Sequence, residues 1–223
     1  MALFPVYVFD AYGTLFDVHS AVGRFRDRIG PHADRMSDLW RSKQLEYTWV
    51  RTLMGAHRDF RALTAESLDQ AAARSGVELS ASLRAELLAA YEVLSAFPDV
   101  VPTLAALKKA GAKTAILSNG TPQMLEAATR TAGIADLLDA CLSIESIGRY
   151  KTVPEVYALV TDRFGVSPDA VSFQSSNRWD VAGGVKFGFR SVWINRTGQP
   201  DEYPDLQPSA IVATLDGLLA NDV

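Results

Sequence analysis

The sequence predicts an α/β fold, a parallel sheet flanked by helices, interrupted after its first strand by an all-helical insert. Three observations predict it. Residues 6–10 form a short apolar run that ends at Asp10 before a turn at Gly13-Thr14. Residues 18–97 then carry one helical pattern after another, with breaks at Gly30-Pro31, Gly55, Gly76 and Phe97-Pro98 and no convincing strand. Beyond Pro98, helical and apolar strand-like segments alternate, which is the signature of a parallel sheet.

In the insert, residues 34–54 predict one long helix with Met36, Trp40, Tyr47, Val50 and Met54 as its apolar face. Arg41, Leu45 and Trp49 follow at i, i+4 and i+8 on a neighbouring face. After the insert, helices are predicted at 102–110, 122–132, 154–164 and 179–187, and strands at 113–118, 140–144, 170–175 and 191–195. Each of these helices stops beside a glycine, the residue that most easily takes the left-handed conformation past a helix end. The domains expected are an α/β core of 1–16 and 98–223 and a helical cap of 17–97.

Composition narrows the function classes. In 223 residues, 22 Lys and Arg face 26 Asp and Glu, a net charge of −4 with no basic block, so nucleic acid is not the expected partner. The single cysteine excludes an internal disulfide, and the three histidines show no HExxH or CxxC-type ligand spacing, so a zinc site is not expected. The N-terminal apolar run has no basic flank and is broken by Asp10, unlike a signal peptide or a membrane span. A cytoplasmic protein without membrane association is the expectation.

Open α/β sheets bind ligands at the carboxyl ends of their strands. Those predicted ends carry Asp10 with Thr14, then Ser118-Asn119, then Ser175, Asn177 and Asp180, while Lys151 lies in a loop just before Pro154 opens a helix. Singly, each has an ordinary structural reading as a cap, a turn residue or a solvated lysine. Together, from distant segments, they converge on one crevice. Arg41 stands apart on the cap helix. Its charge, beside Leu45 and Trp49, implies either a guanidinium over that crevice or a stem lying along apolar surface with its head in water.

These residues carry a resemblance. Asp10-Ala-Tyr-Gly-Thr14, Ser118-Asn119, Lys151 and Ser175-Ser176-Asn177-Arg178-Trp179-Asp180 look like the motifs of the haloacid dehalogenase superfamily. With Trp40-Arg41 and Gln44-Leu45-Glu46-Tyr47-Thr48-Trp49, the chain resembles its L-2-haloacid dehalogenases over nearly its whole length. The first motif specifies only the superfamily; the Ser-Ser-Asn-x-Trp-Asp element and the cap arginine are more specific. The resemblance implies a Rossmann-like core of the haloacid dehalogenase type, with the helical insert as its cap.

It also implies a hydrolase of carbon–halide bonds, converting small L-2-haloacids to 2-hydroxy acids with inversion through an ester on Asp10, without a cofactor. Thr14 and Ser175 would orient the nucleophile or its neighbours, and Lys151 with Ser118 would hold the substrate carboxylate. Arg41, Asn119 and Trp179 match the halide cradle; Tyr12, Leu45, Phe60 and Trp179 match the apolar wall around the alkyl group. Asp180, with Asn177 alongside, is either the partner of Lys151 or the group that activates water. Tyr157 matches an active-site position from which its hydroxyl would steady Asp180 or Lys151. Family members are commonly homodimers, and the apolar faces of helix 34–54 are the expected interface.

The alternative is a phosphatase on the same fold. Phosphatases of the superfamily resemble one another in carrying a second aspartate two residues after the nucleophile and an acid in the last motif that helps hold Mg²⁺. This chain has Tyr12 at the first of those positions and Ser175-Ser176 in the last motif. A halide leaves without a proton, so those departures favour dehalogenation. Lys151-Thr152-Val153-Pro154 departs from the superfamily, which usually has proline directly after the lysine. The lysine is expected to reach the site nonetheless.

Overall fold

The computed structural model describes residues 3–220. Its sheet has six parallel strands in the order β3-β2-β1-β4-β5-β6, formed by β1 (Val6–Phe9), β2 (Lys113–Ser118), β3 (Ala140–Ser143), β4 (Val171–Ser175), β5 (Arg190–Ile194) and β6 (Ala210–Val212). Val6, Tyr7, Val8 and Phe9 are all buried. β1 lies between two other strands, so covered faces replace the alternation of a half-exposed strand with an unbroken apolar run.

Parallel neighbours need crossovers. The core helices supply them: α6 (Val100–Lys109), α7 (Pro122–Thr131), α8 (Pro154–Phe164) and α9 (Arg178–Phe187) alternate with the strands. Past Phe164 and Phe187 the chain turns through Gly165 and Gly188, both in the left-handed region. Gly184 has a second use. A Cβ there would stand 2.6 Å from the Ser191 hydroxyl and 2.8 Å from the Phe173 ring, so its bareness lets α9 lie close on β4 and β5.

Strand order sets the position of the site. From β1 the chain steps to β2 and β3 on one side, whereas β4, β5 and β6 lie on the other. The order therefore reverses between β1 and β4, where an open sheet leaves a crevice beyond its strand ends. Phe9 pairs with Gln174, and the Asp10 amide donates to the Gln174 carbonyl at 2.9 Å, which brings Asp10 abreast of Ser175.

Between β1 and α6 there are only helices: α1 (Ser20–Gly23), α2 (Arg26–Ile29), α3 (Ala33–Met54), α4 (Phe60–Ser75) and α5 (Ala81–Glu92). The outgoing and returning segments run side by side. The Asp17 amide donates to the Ser95 carbonyl at 2.8 Å, and the Phe97 amide donates to the Leu15 carbonyl at 3.0 Å. Asp59 and Ser80 cap α4 and α5 by accepting from Ala62 N and Leu83 N, while left-handed Gly55 and Gly76 end α3 and α4.

The buried face of α3 takes in only part of the apolar stripe. Met36 and Trp40 are buried, but Gln44 and Thr48 continue that face, and Val50 and Met54 are exposed. Gln44 finds partners across the interface, bonding to Thr64 and Tyr91, whereas Thr48 is satisfied within α3, its hydroxyl donating to the Leu45 carbonyl. β6, the short helices α1 and α2, and α10 (Gly217–Ala220) are three or four residues each, too short for a periodic signal. Among the described residues no helix is long and apolar enough to cross a membrane.

Candidate active site

At the end of β1, Asp10 is 5% exposed, and each carboxylate oxygen meets a different set of donors. Oδ2 accepts from the Thr14 hydroxyl at 3.1 Å and from Asn177 Nδ2 at 2.8 Å; Oδ1 accepts from Lys151 Nζ at 3.1 Å. The turn after β1 shapes this arrangement. The Thr14, Leu15 and Phe16 amides all donate to the Ala11 carbonyl, and Gly13 sits at φ +92° beside the Ser176 hydroxyl. A left-handed residue is needed there, and glycine takes it without steric cost.

Lys151 joins two carboxylates. Its ammonium, fully buried, donates to Asp10 Oδ1 and, at 2.8 Å, to Asp180 Oδ2, and it lies 5.3 Å from the centroid of the Phe173 ring. Asn119 steadies it from the backbone by accepting the Lys151 amide on Oδ1 at 3.1 Å. The peptide that follows, Lys151–Thr152, is cis. The lysine reaches the site although Thr152 stands where the superfamily usually has proline.

Asp180, in the first turn of α9, accepts the Tyr157 hydroxyl on Oδ1 at 2.7 Å. Gly183 makes room for this contact, because a Cβ there would lie 2.2 Å from the Tyr157 oxygen. Burial pushes the Asp180 carboxyl up to about 6; Lys151 pulls it down and the charge of Asp10 pushes it up again. Burial alone would lower the Lys151 pKa, but Asp10 and Asp180, by charge and by hydrogen bond, carry it above the usual lysine value. Burial, with Asp180 adjacent, keeps the Tyr157 phenol protonated far above its ordinary range.

The cap reaches the same point through Arg41. Nη1 donates to Gln44 Oε1 at 2.9 Å, and Nη2 donates to the Tyr12 carbonyl at 3.1 Å and to Asn177 Oδ1 at 3.2 Å. All three acceptors are neutral, and among the described residues Arg41 makes no ion pair. On this half-buried residue the guanidinium meets the turn after β1 and Asn177, with no carboxylate of the described residues within ion-pair distance. Tyr12 is buried against Phe60 at 5.2 Å and stacks on Tyr91 at 5.7 Å between centroids. Gly120 admits its ring edge, since a Cβ there would lie 2.8 Å from Tyr12 Cε2.

The buried Ser175 hydroxyl accepts the Asn177 backbone amide at 3.1 Å and so orients a neighbour of Asp10. Ser176, at the next position, is the residue that meets Thr14: its amide donates to Thr14 Oγ1 at 2.8 Å. Ser118 accepts the Gly120 amide at 3.1 Å, leaving its hydroxyl hydrogen for another acceptor. Half-buried Leu45 is one turn beyond Arg41 on α3, and Trp179 packs edge-on against Trp49 at 5.4 Å, where the two border a cavity of ≈ 380 Å³.

The donor set does not suit a divalent cation. An ammonium already stands between the two carboxylates, and among the described residues no three His, Cys, Asp or Glu side chains are grouped to hold a metal.

The family model for haloacid dehalogenase-like hydrolases matches residues 4–188. The chain belongs to that family. This haloacid dehalogenase-like hydrolase is 50% identical, over 88% of its length and 86% of the relative's, to (S)-2-haloacid dehalogenase 1 of Pseudomonas sp. strain CBS-3. It is equally identical, over 88% of itself and 85% of the relative, to (S)-2-haloacid dehalogenase 4A of Burkholderia cepacia. The L-2-haloacid dehalogenase of Xanthobacter autotrophicus with chloropropionic acid covalently bound superposes with a TM-score of 0.88 at 36% identity, covering 98% of this chain and 99% of that one.

Three residues of the hydrolase site carry no role in the sequence reading. They are Gln44 and Tyr91, behind Arg41, and Ser176. Gln44 had a signal: a polar side chain four residues after Trp40 on an inward face demands a partner. Tyr91 had none, since a buried tyrosine reads as core packing.

Lys151 bridges two buried carboxylates, so Lys151→Met leaves both without their shared cation. Removing one partner of a buried ion pair typically costs ~3–5 kcal/mol. Urea unfolding at pH 7.5 should show a loss of that order, partly recovered in Lys151→Met/Asp180→Asn.

Proposed function

We propose that this hydrolase releases halide from small L-2-haloacids, giving the 2-hydroxy acid of inverted configuration through an ester on Asp10. The observation that carries the reading is the unequal occupancy of the two Asp10 oxygens, with an uncompensated Arg41 above them. Oδ2 accepts two hydrogen bonds, which use both of its in-plane lone pairs, whereas Oδ1 accepts one. Oδ1 is therefore the nucleophile.

In the first step an Oδ1 lone pair attacks C2 from the side opposite the halogen, and the C–X bond breaks as the O–C2 bond forms. The halide leaves with the bonding pair and needs no proton, so a buried Tyr12 beside the nucleophile is no handicap. Arg41 receives the anion, with Asn119 and Trp179 as the other walls of its cradle. Lys151 and the Ser118 hydroxyl hold the substrate carboxylate, and Tyr12, Leu45, Phe60 and Trp179 enclose the alkyl group.

In the second step water adds to Asp10 Cγ. Negative charge then develops on Oδ2, where Thr14 and Asn177 already donate; donors fixed before charge develops are the effective way to stabilise it. Asp180 takes the proton from water, and Tyr157 holds it in place. When the Cγ–Oδ1 bond breaks, Oδ1 departs with the product, and Lys151 beside it stabilises and protonates the alkoxide. The water oxygen replaces Oδ1 in Asp10. C2 is inverted once, because only the first step touches it.

Two further readings accompany this one. A second copy of the chain covers the apolar end of α3, where Leu53 is 86% and Met54 62% exposed. A hollow of ≈ 450 Å³ lined in part by Tyr47, Val50 and Met54 lies alongside, so a two-fold pairing offers both a knob and a hole. The free Cys141 thiol suits a reducing cytoplasm.

Three outcomes test these readings. With enzyme in excess over L-2-chloropropionate in ¹⁸O-water, label should enter Asp10 and be absent from the first-formed lactate. Label passing straight into product would overturn the ester route, and chelator-sensitive turnover of an aryl phosphate without halide release would favour the phosphatase. For pH, Asp180 must be ionised to accept a proton in hydrolysis of the ester, so steady-state turnover should be full above pH ~7 and fall as pH drops through about 6. Stability runs the other way: the folded state takes up the Asp180 proton between about 6 and 4, so this group's contribution grows as pH falls through that window. For assembly, light scattering should give a dimer that Leu53→Asp converts to monomer; a wild-type monomer would end that reading.

A further inference from the structure

Behind Arg41 lies a chain of hydrogen bonds with only one consistent direction. The Thr64 hydroxyl donates to the Phe60 carbonyl at 2.7 Å, which spends its single hydrogen. Toward Gln44 it is then an acceptor only, and Gln44 Nε2 donates to it at 2.7 Å. That contact orients the amide, so Oε1 faces the other way. There it accepts from Arg41 Nη1 at 2.9 Å and from the Tyr91 hydroxyl at 3.0 Å. A flipped amide would set its NH₂ against the Arg41 guanidinium, which can only donate, and its carbonyl against a Thr64 oxygen with no hydrogen left to give.

Every member of the chain is held. Gln44 is fully buried and Thr64 nearly so, and the Thr64 carbonyl accepts from Trp40 Nε1 at 2.8 Å, which clamps α4 to α3. Tyr91 packs between Trp40, at 5.0 Å, and Tyr12, at 5.7 Å between centroids. Such a network could serve only to satisfy buried polar groups in the cap. Its endpoint argues for more, since it ends on Arg41, whose other nitrogen, Nη2, touches the Tyr12 carbonyl and Asn177. A guanidinium is planar, so fixing Nη1 as well as Nη2 fixes the plane of the head.

We propose that Gln44 is a positioning residue for Arg41, aimed by Thr64 and shared with Tyr91, and that it sets the guanidinium plane which meets the departing halide. The proposal rests on the reading of Arg41 as the halide acceptor. It makes leaving-group stabilisation depend on the backbone of α4, two residues removed from the reacting atoms.

Misplacing a group in a reacting constellation by about an ångström costs up to ~100-fold in rate. Gln44→Met should therefore lower kcat on L-2-chloropropionate by ~10- to 100-fold and weaken product inhibition by chloride by ~10-fold, with KM changed less than about threefold. Thr64→Val, which removes the acceptor that aims the amide, should shift the same two quantities in the same direction, and Thr64→Ser should restore both to within about twofold. A loss of thermal stability with kcat and chloride inhibition unchanged would show a structural role and overturn the proposal. Should Gln44→Met fail to fold, the Thr64→Val and Thr64→Ser pair decides. A wild-type enzyme that releases no halide would overturn the reading of Arg41 instead. Nitrogen-15 spectra then still report the relay: Arg41 Nη resonances should be resolved in the wild type and averaged in Thr64→Val, and equal averaging in both would sink it.

Discussion

The Lys151 ammonium between Asp10 and Asp180 is the interaction on which the rest of the structure depends. Two carboxylates buried this deeply do not both stay ionised without a cation between them. The lysine comes from the loop before α8, Asp10 from the end of β1 and Asp180 from α9, so three separate segments of the core are tied at one atom. The same contact that permits burial also leaves one oxygen of Asp10 with a lone pair to spare. Structural requirement and reactivity are thus set by one arrangement.

Polarity is graded around that centre. On the core side, Asp10 is held by the Lys151 ammonium and by the neutral donors of Thr14 and Asn177. On the cap side, Arg41 touches only neutral oxygens and keeps its full charge available to an anion. An arginine paired with a carboxylate would lose most of that capacity. The buried face of α3 is polar at Gln44 for a related reason: Gln44 bonds to Arg41, and burying it requires its hydrogen bonds to be met, which Thr64 and Tyr91 do.

Much of the fold is legible in the sequence. The core helices and strands follow from apolar runs punctuated by glycines, and the reversal of strand order places Asp10 and Ser175 side by side. The long cap helix is equally legible in its length but not in its inward face. Counting apolar residues set Val50 and Met54 on one face with Met36 and Trp40, whereas Gln44, with hydrogen-bond partners on α4 and α5, and Thr48 share the buried face and leave those two exposed. At the site, the gathering of Asp10, Thr14, Lys151, Asn177 and Asp180 follows from strand ends. That Ser176, not Ser175, meets Thr14 does not, because adjacent residues past a strand end obey no fixed alternation.

By itself the sequence determined which chemical groups were available: a carboxylate at the end of the first strand, a tyrosine in place of a second acid, and a lysine and an arginine to handle anions. Periodicity carries such information because it assigns residues to faces and ends. Only the tertiary structure decided which oxygen of Asp10 is free, which nitrogen of Arg41 is held, and that a glutamine on the cap links the arginine to the backbone of the next helix. Those outcomes depend on hydrogen-bond directions between segments up to 167 residues apart, and each is settled by where the partner's lone pairs and protons point once the layers have packed.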